Sequence, residues 1–203
     1  KSTNQFAQAK KLLQILAEEQ PSHSASQFQL ALVESEDNDV VPAIARLEKL
    51  VLLESRNKQA NLLLLDLYIK NQQTDVALRL INKLVIEYAR LNLQLNEIVV
   101  AQDVANKMEQ QYGKNPNIFL LKGDIALAKQ DFPTAHGNFL EAIRLEDNFQ
   151  LPLIRLYELA RRGIKVQEFA SLIEQLVKDQ PENDWRRKLL ADQFMNQNKW
   201  QDA

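Results

Sequence analysis

Cysteine is absent from the 203 residues, and glycine and proline are scarce at 4 and 6. Without cysteine there is no disulfide framework, no thiolate metal site and no thiol nucleophile. So few glycines argue against folds built on many tight turns or on a phosphate-binding loop. Neither sign of charge dominates. The 25 Lys and Arg nearly balance the 27 Asp and Glu, for a net charge of −2 and a pI near 5.8, so nothing global draws the chain to nucleic acid or to an anionic membrane. Long apolar runs are also missing. Leu62–Leu65 is among the longest, far short of the roughly 20 residues of a membrane-spanning helix. The stretch Lys1 to Leu16 has Phe6, Ala9, Leu13 and Leu16 at helical spacing and reads as an amphipathic helix rather than a signal peptide. At 45% hydrophobic and 26% charged, the composition predicts a soluble, mostly helical protein with ample material for a core.

The dominant feature is a repeat. Between Asn117 and Asn148, taking Gly123 as position 8 of a unit puts Phe119 at 4, Phe132 at 17, Ala135 at 20, Phe139 at 24 and Ala142 at 27. Intervals of 34 lead from Ala135 to Phe169 and Ala203, and from Ala9 to Ala43 and Ala77. Pro21 and Pro181 fall at position 32, and Tyr68 at position 11 of its unit. The last unit has Leu190, Ala191, Phe194 and Trp200 at 7, 8, 11 and 17. Small residues at 8, 20 and 27 let helices approach closely, and large ones at 4, 7, 11, 17 and 24 fill the space between. Ser24, Thr74-Asp75 and Asp184 stand where helix caps are needed.

This pattern resembles the tetratricopeptide repeat, a helix–turn–helix unit of 34 residues. The resemblance implies an all-α fold: a right-handed superhelical solenoid of antiparallel helix pairs, first helices lining the concave side and second helices the convex side. Helices of some 13 residues are marginal alone, so the units must stack. The expected array is a single domain over 1–203, with units near 1–23, 24–57, 58–81, 82–115, 116–149, 150–183 and 184–203. It looks like a segment of a longer array, with apolar edges at Phe6 and Leu13 and at Phe194 and Trp200 that can pair with a second copy.

One interval is irregular. Ala77 to Ala101 is ten residues short of a repeat, and no Gly or Pro separates the helix at Asp75–Glu87 from one at Tyr88–Leu95. Two readings fit: a deletion that fuses two helices, or ten residues missing from this sequence near Glu87–Arg90. The need of each unit to stack on its neighbour favours the second.

Nothing in the chain carries a catalytic signature. No metalloprotease, Walker, nucleophile-elbow or dinucleotide motif occurs, and the two histidines, His23 and His136, read as surface or half-buried side chains. No catalytic residue, metal site or cofactor is expected, and no nucleic acid or inserted membrane as partner. A basic cluster, Arg161, Arg162 and Lys165 with Arg186, Arg187 and Lys188, is a local anion site on one reading. On the other it complements a helix dipole and is offset by Glu168, Glu182 and Asp184.

In the tetratricopeptide family, groove side chains come mainly from positions 2, 5, 9, 12 and 13 of the first helix. Carried over, position 5 is Phe28, Leu62, Leu120, Ile154 and Lys188. Position 9 is Leu32, Asp66, Arg90, Asp124, Glu158 and Asp192, and position 12 is Ser35, Ile69, Leu93, Leu127, Arg161 and Met195. The Lys and Asn pairs with which some members clamp a C-terminal carboxylate are absent. The carboxylates Asp66, Asp124, Glu158 and Asp192, flanked by aliphatic residues, suit a partner segment with apolar anchors and Lys or Arg; alternatively they solvate the groove and pair with Arg90 and Arg161. The expected function is a non-catalytic protein-interaction scaffold. Its rivals are a substrate-recruiting module of a larger enzyme and a periplasmic or envelope export scaffold. The Gln- and Asn-rich turns Asn71-Gln72-Gln73 and Asn196-Gln197-Asn198 look bacterial, and the compartment fits either the cytoplasm or a bacterial envelope.

Overall fold

The computed structural model describes residues 2–196, which form eleven helices and no strand. In chain order they are α1 (Ser2–Glu19), α2 (Ser24–Glu36), α3 (Val40–Leu53), α4 (Lys58–Lys70), α5 (Thr74–Gln94), α6 (Ile98–Tyr112), α7 (Pro116–Ala128), α8 (Phe132–Leu145), α9 (Gln150–Arg161), α10 (Val166–Asp179) and α11 (Asp184–Asn196). Two compact units divide between Leu84 and Val85, inside α5. Trp200 and Ala203, at the end of the sequence register, lie outside the described residues, as does the side chain of Phe6.

In the first unit, α2, α3, α4 and the start of α5 enclose one core. Ala31, Ala43 and Ala60 are fully buried, and Leu47, Leu64, Leu67 and Ala77 nearly so. The alanines at positions 8 and 20 thus lie at the closest helix approaches. A polar network joins α2 to α3: the Arg46 guanidinium donates from Nε and Nη2 to the buried Glu34 carboxylate at 3.1 and 3.0 Å, and from Nη1 to Gln27 at 2.6 Å. The Tyr68 hydroxyl donates to Glu48 at 2.7 Å, and burial together with this bond pushes its pKa up. At the array's beginning, Leu13 is half-buried, while Leu12 and Ile15 are the exposed apolar residues of α1.

The second unit contains the rest of α5 and α6–α11. Ala89, Ala101 and Ala105 pack with Leu121 and Ile125, and the larger core runs from Leu120 through Phe139, Leu156 and Phe169 to Leu189. The repeat's small positions are filled differently from unit to unit. Gly123 sits beneath the Phe139 ring, whereas positions 8 and 20 of the next unit are Tyr157 and Phe169, whose rings meet at a tilt with centroids 5.6 Å apart. Phe194 is half-buried and Met195 exposed on α11.

The turns repeat as faithfully as the core. Between first and second helices, Asn38, Gln72, Asn96 and Gln130 take φ values near +60°. The following residue donates its N–H back across the helix end: Asp39 to Glu34, Gln73 to Tyr68, Glu97 to Asn92 and Asp131 to Ala126, at 2.8–2.9 Å. This is a Schellman-type closure, for which Asn is the best substitute for glycine. The polar turn residues therefore have a local structural role and explain how the fold forms with so little glycine. The first helices α2, α4, α7 and α11 are capped by the side chain of the residue before each unit, for α2 and α11 one place earlier than the sequence suggested, whereas Phe149 before α9 makes no such bond. His23 Nδ1 accepts from Ser26 N–H, and Asn57, Asn115 and Asn183 accept at 2.9–3.2 Å. Ser24 and Asp184 are already helical and pair instead with Glu54 and Arg187.

The short interval falls within a single helix. α5 runs unbroken for 21 residues, where the same two helices and their turn in the preceding repeat, 40–70, take 31. No turn interrupts it, and the apolar spacing continues along its length.

His136 on α8 is 6% exposed, with Nε2 at 3.7 Å from Glu168 on α10. Burial lowers its pKa from 6.5, against the raising effect of Glu168 and with that of Lys165. A histidine held neutral by the fold contributes its stability fully above the unfolded value and loses it as pH falls through about 6.5. Unfolding midpoints are accordingly expected to drop between pH 7.5 and 5.5, and less so in His136→Gln, as denaturation at the two pH values would measure.

Candidate functional site

The recess of interest lies in the second unit and is built from three first helices. Arg90, Leu93 and Gln94 come from the end of α5, Leu120, Asp124 and Leu127 from α7, and Leu151 and Arg155 from α9, around about 460 Å³. Spacings of four and three put Leu120, Asp124 and Leu127 on one face of α7. Leu120 is 1% exposed and forms floor, so the recess is apolar below and charged at its mouth.

Asp124 stands at the centre, its side chain 17% exposed. Arg155 Nε donates to it at 3.0 Å, and Arg155 Nη1 donates at 3.0 Å to Glu158, one turn further along α9. Burial raises the Asp124 pKa, and the opposing charges of Arg155 and Arg90 do not bring it back. Burial acts to lower the Arg155 pKa, but Asp124 and Glu158 outweigh it and the net shift is upward. Arg90 donates to Glu87 on its own helix at 3.0 Å.

Arg90, Leu93, Leu120, Asp124 and Leu127 are thus together, as the repeat positions suggested, and Glu158 joins them through Arg155. The remaining residues are elsewhere. Ile154 is half-buried, Arg161 lies over the Tyr157 ring at 5.9 Å, and Lys188, Asp192 and Met195 are exposed. In the first unit Phe28 and Leu32 are half-buried. Leu62 and Ile69 are exposed on either side of Asp66, whose carboxylate pairs with Lys70 at 2.6 Å. The line of carboxylates is therefore internally paired wherever α4, α7 and α9 contribute to it, and the partner of the central one is Arg155 rather than Arg90 or Arg161. Sequence reasoning missed Gln94, Leu151 and Arg155. The spacing of Arg155 three residues before Glu158 was the available signal.

The basic cluster does not assemble as an anion site. Arg186 is 2% exposed and donates to the Asp147 carbonyl at 2.7 Å, with the Asp147 carboxylate at 3.1 Å. Lys165 pairs with Glu168 at 2.5 Å and Arg187 with Asp184. Among the described residues no His, Asp and Glu side chains gather in threes as a metal would need, and no helix is long and apolar enough to cross a membrane.

No protein-family model matches the chain, and no curated protein does. Solved structures do. A tetratricopeptide repeat protein from Parabacteroides merdae is 15% identical over 87% of this chain and 74% of its own, with a TM-score of 0.45. A thermophilic tetratricopeptide protein of Thermus thermophilus is 18% identical over 96% of this chain and 93% of its own, at 0.43. YrrB, a tetratricopeptide protein with an unusual peptide-binding site, is 16% identical over 92% and 84%, at 0.36. The helix pairs of the present chain bury Ala31, Ala43, Ala77, Ala101, Gly123, Ala135 and Ala142 at the small positions of the repeat.

Proposed function

We propose that this array of tetratricopeptide-type helix pairs is a non-catalytic protein-interaction scaffold. Its second compact unit holds a segment of a partner protein that combines an apolar side chain with Lys or Arg. The observation that carries this reading is the setting of Asp124: a carboxylate 17% exposed, within a recess lined by Leu93, Leu120, Leu127 and Leu151. A carboxylate in an apolar-floored recess suits a cation carried beside an apolar side chain. Leu93, Leu120, Leu127 and Leu151 supply the apolar contact, and a recess of this size holds one or two side chains of an extended segment rather than a whole helix.

A hydrogen bond to a charged group is worth about 1.5–3 kcal/mol. Basic-apolar peptides are therefore expected to bind wild type roughly ten-fold or more tighter than Asp124→Asn/Glu158→Gln, and acidic peptides to show no such preference. Fluorescence anisotropy with both peptide sets checks this, and equal affinities for the two proteins would overturn it. Folding is expected to survive. An acid whose folded pKa is raised costs stability once pH rises through that value, so the neutral amide removes a cost at neutral pH.

A further inference from the structure

We propose that Arg155 is an internal stand-in for the partner's cation: in the free protein it occupies the carboxylate at the centre of the recess, and a basic side chain of the partner takes its place there. The inference rests on the reading of the recess as a site for a basic-apolar segment, and it assigns to Arg155 the control of affinity.

The geometry around Arg155 supports it. Arg155 spans two helices, donating from Nε to Asp124 of α7 and from Nη1 to Glu158 of α9, both at 3.0 Å. Its side chain is 38% exposed, whereas that of Asp124 is 17% exposed, so the guanidinium sits at the mouth and the carboxylate deeper in. Glu158 lies one turn along the helix that carries Arg155, so the guanidinium can let go of Asp124 and keep Glu158 through side-chain rotation alone. Arg90 is tethered in the same manner to Glu87 at 3.0 Å. With the guanidinium turned to Glu158 alone, the Asp124 carboxylate in the recess is left free to accept from an incoming cation.

The two possible signs of ligand give opposite results at this residue. For a basic ligand Arg155 is a competitor and its removal tightens binding. For an acidic ligand Arg155 is a donor and its removal weakens binding.

The test uses two fluorescein-labelled decapeptide pools, one with a fixed central Leu-Arg and one with a fixed central Leu-Glu, the other positions randomised. Each is titrated against wild type, Arg155→Gln, Arg155→Lys and Arg155→Gln/Asp124→Asn, with thermal unfolding of all four as a control on folding. The expected result is that Arg155→Gln binds the Leu-Arg pool about fivefold tighter, the upper end of what a partly exposed ion pair is worth. Arg155→Lys, which retains a cation, should stay near wild type, and the double variant should lose the gain. If wild type prefers the Leu-Arg pool but Arg155→Gln binds it no tighter, the stand-in role is overturned and the basic-apolar reading survives. Preference for the Leu-Glu pool, abolished in Arg155→Gln, would overturn both, as would absence of binding to either pool by every variant.

Discussion

Phe139→Ala is expected to lower the unfolding free energy by about 3–5 kcal/mol, the range for emptying a fully buried phenylalanine site. The ring is 0% exposed on α8 and belongs to the larger core of the second unit. It also lies on the backbone of α7 at Gly123, where an added Cβ would come within 2.2 Å of the ring. That distance accounts for the glycine. In mid-helix it costs about 1 kcal/mol relative to alanine, and an alanine there would have to displace a ring that is itself enclosed. Gly123→Ala should therefore destabilise as well, since overpacking by about 1–3 kcal/mol outweighs the gain in helix propensity. The two changes should not add. In the Phe139→Ala background, Gly123→Ala has room for its methyl group and recovers the propensity, so its sign reverses. Urea denaturation of the four proteins gives the cycle. A loss below about 1.5 kcal/mol for Phe139→Ala, or a Gly123→Ala effect of the same sign in both backgrounds, would show that the ring does not govern this contact.

The same pair shows why so much of the fold was legible in the sequence. Though Tyr157 and Phe169 stand there in one unit, a helix pair that must approach to touching distance favours Gly or Ala at its crossing points. Those residues recur at a fixed interval, from Ala43 to Ala77 and from Ala101 to Ala135, and each is buried. Helix caps were less legible because several polar residues adjoin each start. In Pro21-Ser22-His23-Ser24, serine is the commoner cap, yet the backbone places His23 there, with Ser24 turned to Glu54. The turns at Asn38, Gln72, Asn96 and Gln130 carried their own signal, a left-handed residue every repeat, which composition alone disguised because none of the four is glycine.

The site was half legible for a different reason. Repeat position tells which way a side chain points, and so Asp124, Arg90, Leu93, Leu120 and Leu127 were found together. Leu151 and Gln94 occupy positions 2 and 13, which belong to the same face. Arg155 is at position 6, off that face, and reaches the recess only because its side chain is long enough to bridge Asp124 and Glu158. Reach of this kind depends on the distance between neighbouring helices, which no single helix encodes. Arg186 makes the complementary case. In the sequence it is one of three adjacent basic residues, and in the fold it alone is buried, held by the Asp147 and Leu176 carbonyls.

Lys83→Pro is expected to cost at least about 3 kcal/mol, the penalty for proline in a helix interior, whereas Lys83→Ala should change stability by no more than about 0.5 kcal/mol. Lys83 is exposed and lies ten residues into α5, so neither variant removes a packed side chain and the difference between them reports on backbone alone. Proline there eliminates one backbone donor and drives its ring against the Arg79 carbonyl. Elsewhere in the chain the breaks between second and first helices accept proline without strain: Pro21 and Pro181 stand in the turns before α2 and α11. If the shortened interval behaved as such a turn, Lys83→Pro would be as harmless as these. If α5 is one continuous helix over Thr74–Gln94, the damage is specific to proline and should be accompanied by a loss of helical ellipticity at 222 nm. Nothing local opposes that continuity. Val76, Ala77, Leu80 and Leu84 pack into the first unit's core, and Val85, Ile86, Ala89 and Leu93 into cores of the second. A single helix thus supplies apolar faces to both compact units, and interrupting it at Lys83 cuts the element that each of them needs to close its core.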